Sequence, residues 1–276
     1  MNKMILNLAP TGINPTKALN LHVPLSIEEI IDDVHLNWKK GVQIVHLHVR
    51  DSNGENTSDK TIYGQVIQGI REKCPGIIIC ASLSGRLVNT FESRSQVLEL
   101  EGLAKPDMSS LTLSSLNFIN GPSINSPEMI LQLLMKMNAN NIKPELEVFD
   151  IGMINYSKYL IKKGHIQQPF YYNIICGNIS SAQATMEDIS LMIKALPPNS
   201  IYTLGGFGFD QLKMNIYGIL NANGIRIGLE DNLYFDKEKT LASNEMLVDR
   251  ILEIAKLYGR EVASCEEVRQ LLNMTK

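Results

Sequence analysis

The stretch "VQIVHLHVRD", residues 42–51, decides how the chain is read, because it places two histidines where a buried strand would carry branched aliphatics. Val42, Ile44, Val45, Leu47 and Val49 make it β-forming and apolar, as buried strands of a parallel sheet are. Side chains at i and i+2 share a face, so His46 and His48 point the same way, with Cα atoms roughly 6.5 Å apart. Two imidazoles at that spacing can converge on one ion, since zinc–nitrogen bonds are about 2.0 to 2.1 Å long. A pair of hydrogen-bonded core histidines is the competing reading. The choice turns on what else stands at this strand's end.

Outward from this stretch, strand-like runs recur at "MILNLAP" (4–10), "GIIICASLS" (76–84), "DMSSLTLSS" (107–115), "PELEVFD" (144–150), "FYYNIICG" (170–177), "SIYTLGGFG" (200–208) and "IRIGLED" (225–231). Helical patterns separate them. In "SIEEIIDDVHLNWKKG" (26–41), Ile27, Ile30, Ile31, Val34 and Trp38 fall on one face, and Ser26 with Glu29 forms a capping box. "SPEMILQLLMKM" (126–137) opens with Ser126 as cap and Pro127 at the first helical position, where a missing N–H costs nothing. "SNEMLVDRILEIAKLYG" (243–259) carries a stripe of Leu247, Ile251, Ile254 and Tyr258 and stops at Gly259, and "SCEEVRQLLN" (264–273) follows as a short last helix.

Eight strand–helix units and one further helix predict an α/β fold, a (β/α)8 TIM barrel with an additional C-terminal helix. The 276 residues suit its usual size of about 250. An open doubly wound sheet would be expected to show a Gly-rich first turn, but "APTGINPTK" (9–17) lacks G-x-G-x-x-G and opens no helix. No linker or low-complexity run interrupts the alternation, so residues 1–276 read as one catalytic domain.

The net charge is -3, with both signs interspersed, which argues against a nucleic-acid partner. No window approaches a membrane span, and the first apolar run is too short for a signal peptide. The four cysteines form no C-x-x-C, and Cys80 and Cys176 lie in apolar runs, as reduced core thiols of a cytoplasmic protein would.

In a barrel of this kind the chemistry comes from the C-terminal strand ends. Strand eight ends "IRIGLEDN" (225–232), with Arg226, Gly228 and Glu230 expected on one face and Asp231 where loop begins. Strands eight and one become neighbours on closure, and strand two is next, so Glu230 can reach an ion held by His46 and His48. A His2Glu set leaves a coordination position open, the mark of a catalytic site. The bland alternative pairs Glu230 with Arg226. Asp231, beside a cation and Arg226, is expected to stay ionised and to serve as a general base; otherwise it caps the next helix. Ser82, Ser110 and Glu147 stand at other strand ends, and "GGFGFD" (205–210) is a glycine loop where this fold often holds phosphate.

Taken together, "APTG" (9–12), "VHLHVRD" (45–51), "KPDMSSLTLSSLNF" (105–118), "KPELEVFDIGM" (143–153) and "GLEDNLY" (228–234) resemble the β-keto acid cleavage enzymes over essentially the whole chain. The resemblance implies a zinc-dependent TIM barrel, oligomeric, converting a 3-keto acid and acetyl-CoA into acetoacetate and a new CoA ester. It implies Zn2+ on His46, His48 and Glu230, and Asp231 as base oriented by Arg226. Ser82 and Ser110 match positions that bind the substrate carboxylate and keto group, Gly85 is expected to bind substrate beside them, and Glu147 matches an acidic active-site residue. The chain departs from the family at Asn14, where a glutamate often meets an amino group, at "SLSGR" (82–86), at "CGNISS" (176–181) and at "GFGF" (206–209). An amide at Asn14 offers only neutral hydrogen bonds, so the expected keto acid is neutral or anionic at its far end, with Arg86 as the candidate anion contact. The other class of function left open is a metal-binding barrel that holds a small carboxylic acid without turnover.

Overall fold

Eight short parallel strands, each the neighbour of the next in the chain, close into a barrel in the computed structural model, which describes residues 3–86 and 88–274. They are β1 (Ile5–Leu8), β2 (Ile44–Leu47), β3 (Ile78–Ala81), β4 (Met108–Thr112), β5 (Lys143–Val148), β6 (Tyr171–Cys176), β7 (Ile201–Gly206) and β8 (Gly224–Ile227). β8 pairs with β1 in the register Asn7 to Arg226, which completes the ring. The helices are α1 (Ile27–Lys39), α2 (Lys60–Lys73), α3 (Phe91–Ser95), α4 (Pro127–Ala139), α5 (Ile151–Lys162), α6 (Met186–Ala195), α7 (Asp210–Asn221), α8 (Asn244–Tyr258) and α9 (Cys265–Leu271). The TIM-barrel expectation and its extra last helix are met.

The local signals act as the residues dictate. Ser26 and Glu29 close their capping box on α1, Ser126 caps α4 ahead of Pro127, and Gly259 ends α8 in a left-handed conformation. Outward-facing Val45, Leu47 and Ile79 pack on Ile30, Val34, Val66 and Ile67 of α1 and α2. Each such side chain contributes about 1.5 to 3 kcal/mol when fully buried. Inside the barrel, Ile5, Ile44, Ile78, Met108, Tyr171 and Ile201 form a floor near the strand starts, and Val268 and Leu272 pack against it. The last helix therefore seals the N-terminal end and leaves the C-terminal end for the site. No helix among the described residues is long and apolar enough to cross a membrane.

Two strand boundaries differ from the sequence reading, and both matter to the site. β2 stops at Leu47, so His48 stands one residue beyond it, and Val49–Arg50 turns away to pair with Asn56–Thr57. β8 stops at Ile227, so Glu230 does not share a strand face with Arg226 and Gly228. The cause is a close approach of backbones. Gly228 has φ 146°, and a Cβ there would lie 2.1 Å from the Ala9 carbonyl oxygen. The chain folds into a turn instead, with the Glu230 N–H donating to Ala9 O at 3.2 Å. Gly228→Ala is expected to lose about 1 to 3 kcal/mol of stability, the usual range for forced backbone strain, as read from the urea midpoint.

Candidate active site

The site is built upward from a buried polar layer above the apolar floor. Glu145 of β5 is fully buried. Its Oε2 accepts from His46 Nδ1 at 2.8 Å and from the Cys80 thiol at 3.3 Å, and its Oε1 accepts from Asn7 at 2.7 Å and Asn173 at 3.2 Å. Burial by itself would push this carboxyl up, but His46, Arg226 and Asn7 outweigh it and hold it below the usual glutamate value. Committing His46 Nδ1 to Glu145 leaves Nε2 aimed at the barrel mouth.

There His46, His48 and Glu230 bring one ligand atom each to within 4.8 Å of one another. His48 Nε2 is 3.5 Å from Glu230 Oε1, and His46 Nε2 is 3.9 Å from it. Burial opposes ionisation of Glu230, yet Arg226, His48 and His46 keep its carboxyl far below the ordinary range. Its other oxygen, Oε2, is buried without a hydrogen-bond partner among the described residues. A carboxylate that faces two imidazole nitrogens with one oxygen and keeps the other buried without a partner is an environment a cation completes, so the donor set fits a metal. Gly12 makes the approach feasible: a Cβ there would stand 2.4 Å from Glu230 Cγ. A second grouping, His46, Cys80 and Glu145, is equally tight. It reads as a hydrogen-bonded support, because burial first and Glu145 next hold the Cys80 thiol well above its usual value, while metal ligation needs a thiolate.

Arg226 of β8 organises the other side. Buried to 1% exposure, it donates Nε–H to Asp231 Oδ2 at 2.8 Å, Nη2–H to Glu230 Oε1 at 2.8 Å and Nη1–H to Glu147 Oε1 at 3.4 Å. Arg226 and Glu230 thus form the ion pair of the bland reading while Glu230 also faces the histidines. Burial raises Asp231 above the ordinary aspartate value, and Arg226 only partly offsets it. The sequence reading weighed the neighbouring cation and missed this larger effect, which makes the carboxylate more basic. Glu147, raised in the same way by burial, accepts from Thr112 at 2.9 Å. Asn244 stitches the loops of β1 and β8 together, accepting from Leu229 N–H at 2.8 Å and donating to Pro10 O at 3.0 Å.

These groups open into one cavity of about 410 Å³. Among the residues expected from sequence, Asn14, His46, His48, Ser82, Glu147, Arg226, Glu230 and Asp231 line it, as does Arg86. Gly85 and Ser110 are not among its lining residues. Gly85 packs on Arg94, where a Cβ would meet Nη1 at 2.7 Å, and Ser110 Oγ accepts the Leu83 N–H at 3.2 Å. From β4 the lining residue is Thr112 instead. The "GGFGFD" segment gives two glycines to β7; Phe207 stacks with Phe149, and Phe209 with Tyr234. The "CGNISS" loop is tied down by Asn178 and Ser180, both donating to Asn117 O. Glu145 was missed in the sequence. Its signal is the i, i+2 spacing with Glu147 in "PELEVFD", which repeats that of the two histidines.

Comparison with known proteins agrees with this geometry. A family model described as beta-keto acid cleavage enzyme matches residues 3–274. A 3-keto-5-aminohexanoate cleavage enzyme of Acetoanaerobium sticklandii is 36% identical over all of both chains. A 3-oxoadipate:acetyl-CoA acetyltransferase of Cupriavidus necator is 32% identical over 98% of this chain and 94% of its own. The solved apo structure of ObcA superposes with a TM-score of 0.81 at 15% identity; the match covers 92% of this chain and 66% of that one, a likeness of fold.

The Glu145–His46 contact gives a test of the support layer. Glu145→Gln keeps the volume but removes the charge that fixes the imidazole, and is expected to weaken divalent-metal affinity by about 10- to 100-fold, measured by chelator competition. Unchanged affinity would make Glu145 a packing residue.

Proposed function

Since the chain belongs to the β-keto acid cleavage enzyme family, we propose that it condenses a 3-keto acid with acetyl-CoA and cleaves the adduct in the retro-Claisen sense. The single observation that carries the reading is the buried set of His46, His48, Glu230, Arg226 and Asp231 around one cavity. The atoms balance as R–CO–CH2–COO⁻ plus CH3–CO–SCoA giving CH3–CO–CH2–COO⁻ plus R–CO–SCoA. The C2–C3 bond of the keto acid and the acetyl C–S bond of acetyl-CoA break, C2 bonds to the acetyl carbonyl carbon, and the acyl group R–CO bonds to the freed CoA sulfur.

His46, His48 and Glu230 would hold the metal, and His2Glu donors with an open position suit zinc. When bound, a divalent metal supplies Lewis-acid stabilisation of the negative charge that builds on the keto acid's oxygens as C2 loses its proton. Asp231 takes that proton. Two features support its role: burial makes it more basic than an ordinary aspartate, and the Arg226 Nε–H fixes one of its oxygens at 2.8 Å. Ser82 and Asn14 would contact the substrate, and Thr112 holds Glu147 of the neighbouring strand in place. Ser110 and Gly85 would act one step back, through Leu83 and Arg94. A barrel that only bound a small acid would have no use for the Arg226–Asp231 pair.

Acetyl-CoA as co-substrate is supported by the name of the relative from Cupriavidus necator. Four free cysteines, three of them buried, support a reducing cytoplasmic setting. The family resemblance supports a homo-oligomer and one catalytic domain spanning residues 1–276.

A panel of 3-keto acids, with and without acetyl-CoA, tests the reading by following CoA-ester formation, which should require both. Asp231→Asn is expected to lower kcat by about 100-fold or more while retaining metal. Near-normal turnover in that variant would leave Asp231 a structural residue of the β8 turn.

A further inference from the structure

Five charged residues line the cavity: Arg86, Glu147, Arg226, Glu230 and Asp231. Four of them are joined in one ion-pair set through Arg226. Arg86, on the loop after β3, has no carboxylate within ion-pair distance among the described residues. Its guanidinium lies 4.2 Å over the Phe118 ring, and Nη2–H reaches the Asn14 side-chain carbonyl at 3.4 Å. That contact is at the long limit of a hydrogen bond, so most of the guanidinium's donors are uncommitted. The side chain is half-buried; burial lowers its pKa while the charge of Glu230 acts the other way, and no carboxylate among the described residues pairs with it directly. Other arginines near this end of the barrel are spoken for. Arg94 donates to Leu83 O, Asn89 and Asn125, and Arg50 to the carbonyls of Gly12, Ile13 and Pro15.

The wall beside Arg86 is apolar. Phe118, Phe149 and Phe207 line the cavity with ring centroids 5.9 to 6.1 Å apart. With a divalent cation held by His46, His48 and Glu230, the cavity would offer an anion-demanding group at each of two places, that cation and Arg86, with hydrocarbon-lined space beside the second. A ligand that matches carries a carboxylate at each end of a short aliphatic chain.

We propose that Arg86 is a specificity-determining residue that receives the distal carboxylate of a 3-keto dicarboxylic acid. This rests on the keto-acid cleavage reading and names its substrate class. The chemistry is the balanced exchange given above, with R ending in –COO⁻; the distal carboxylate takes no part in bond making. Phe118 supports the guanidinium plane from one face and leaves its edge for two parallel N–H···O bonds to the carboxylate.

The test compares 3-oxoadipate with 3-oxohexanoate, six-carbon acids that differ in a terminal carboxylate against a methyl group. Hydrogen bonds to a charged group lead wild type to favour 3-oxoadipate by roughly 10- to 100-fold in kcat/KM. That ratio is expected to fall at least tenfold in Arg86→Met and by less in Arg86→Lys, which keeps the charge. Asn14→Glu, which gives Arg86 a carboxylate of its own, should also lower it. A wild-type preference for 3-oxohexanoate, or an unchanged ratio in Arg86→Met, overturns the proposal. So does an equal loss on both acids with a raised KM for acetyl-CoA, which would assign Arg86 to the co-substrate. Calorimetric binding of each acid to zinc-loaded protein without acetyl-CoA separates this proposal from the reading it rests on. If neither acid is turned over, tighter binding of 3-oxoadipate that is lost in Arg86→Met still supports the subsite, and equal binding of the two acids overturns it.

Discussion

One guanidinium, buried to 1% exposure, faces three carboxylates: Arg226 against Glu147, Glu230 and Asp231. Three carboxylates thus share one guanidinium where effective dielectric is low, and they compete for its donors. Glu230 faces His46 and His48 with Oε1 and keeps Oε2 buried and unpartnered among the described residues. A divalent cation would give that oxygen a partner. Burial lifts Asp231 and Glu147 above ordinary values, while at Glu230 the charges of Arg226, His48 and His46 outweigh burial and hold it low.

The barrel makes this arrangement possible by aiming alternate residues of neighbouring strands into one space. Asn7, His46, Cys80, Glu145 and Asn173 form the layer beneath, joined by hydrogen bonds that fix the imidazole of His46. Above it, close backbone contact between the β1 and β8 ends replaces side-chain packing. Gly12 makes room for the Glu230 side chain, Gly228 passes against Ala9 O, and Asn244 ties Leu229 to Pro10. Geometry at the site is thus set by the backbone on one side and by a buried carboxylate on the other.

What could be read from the sequence follows from the range of the interactions involved. Strand number, barrel closure, the caps of α1 and α4 and the convergence of His46, His48 and Glu230 rest on periodicity and neighbouring strand order, which are local or topological. The exact ends of β2 and β8 were not legible, because β2 gives way to the pairing of Val49–Arg50 with Asn56–Thr57 and β8 ends where Gly228 meets Ala9, residues far apart in the chain. Glu145 went unnoticed because its role depends on facing His46 across the barrel. Ser110 was expected at the mouth from its strand end and Gly85 from the resemblance alone; neither lines the cavity, Ser110 accepting from Leu83 N–H and Gly85 packing on Arg94. The basicity of Asp231 is a matter of burial, which neighbouring charges in the sequence do not disclose.

The central claim is that His46, His48 and Glu230 together hold one divalent metal at the barrel mouth. Elemental analysis of purified protein, beside His48→Ala and Glu230→Gln variants shown by circular dichroism to be folded, measures it directly. The account predicts about one equivalent of metal per chain in the wild type, zinc foremost, and a large loss in both variants. Wild-type protein with no bound divalent metal, or variants with undiminished metal content, would contradict it.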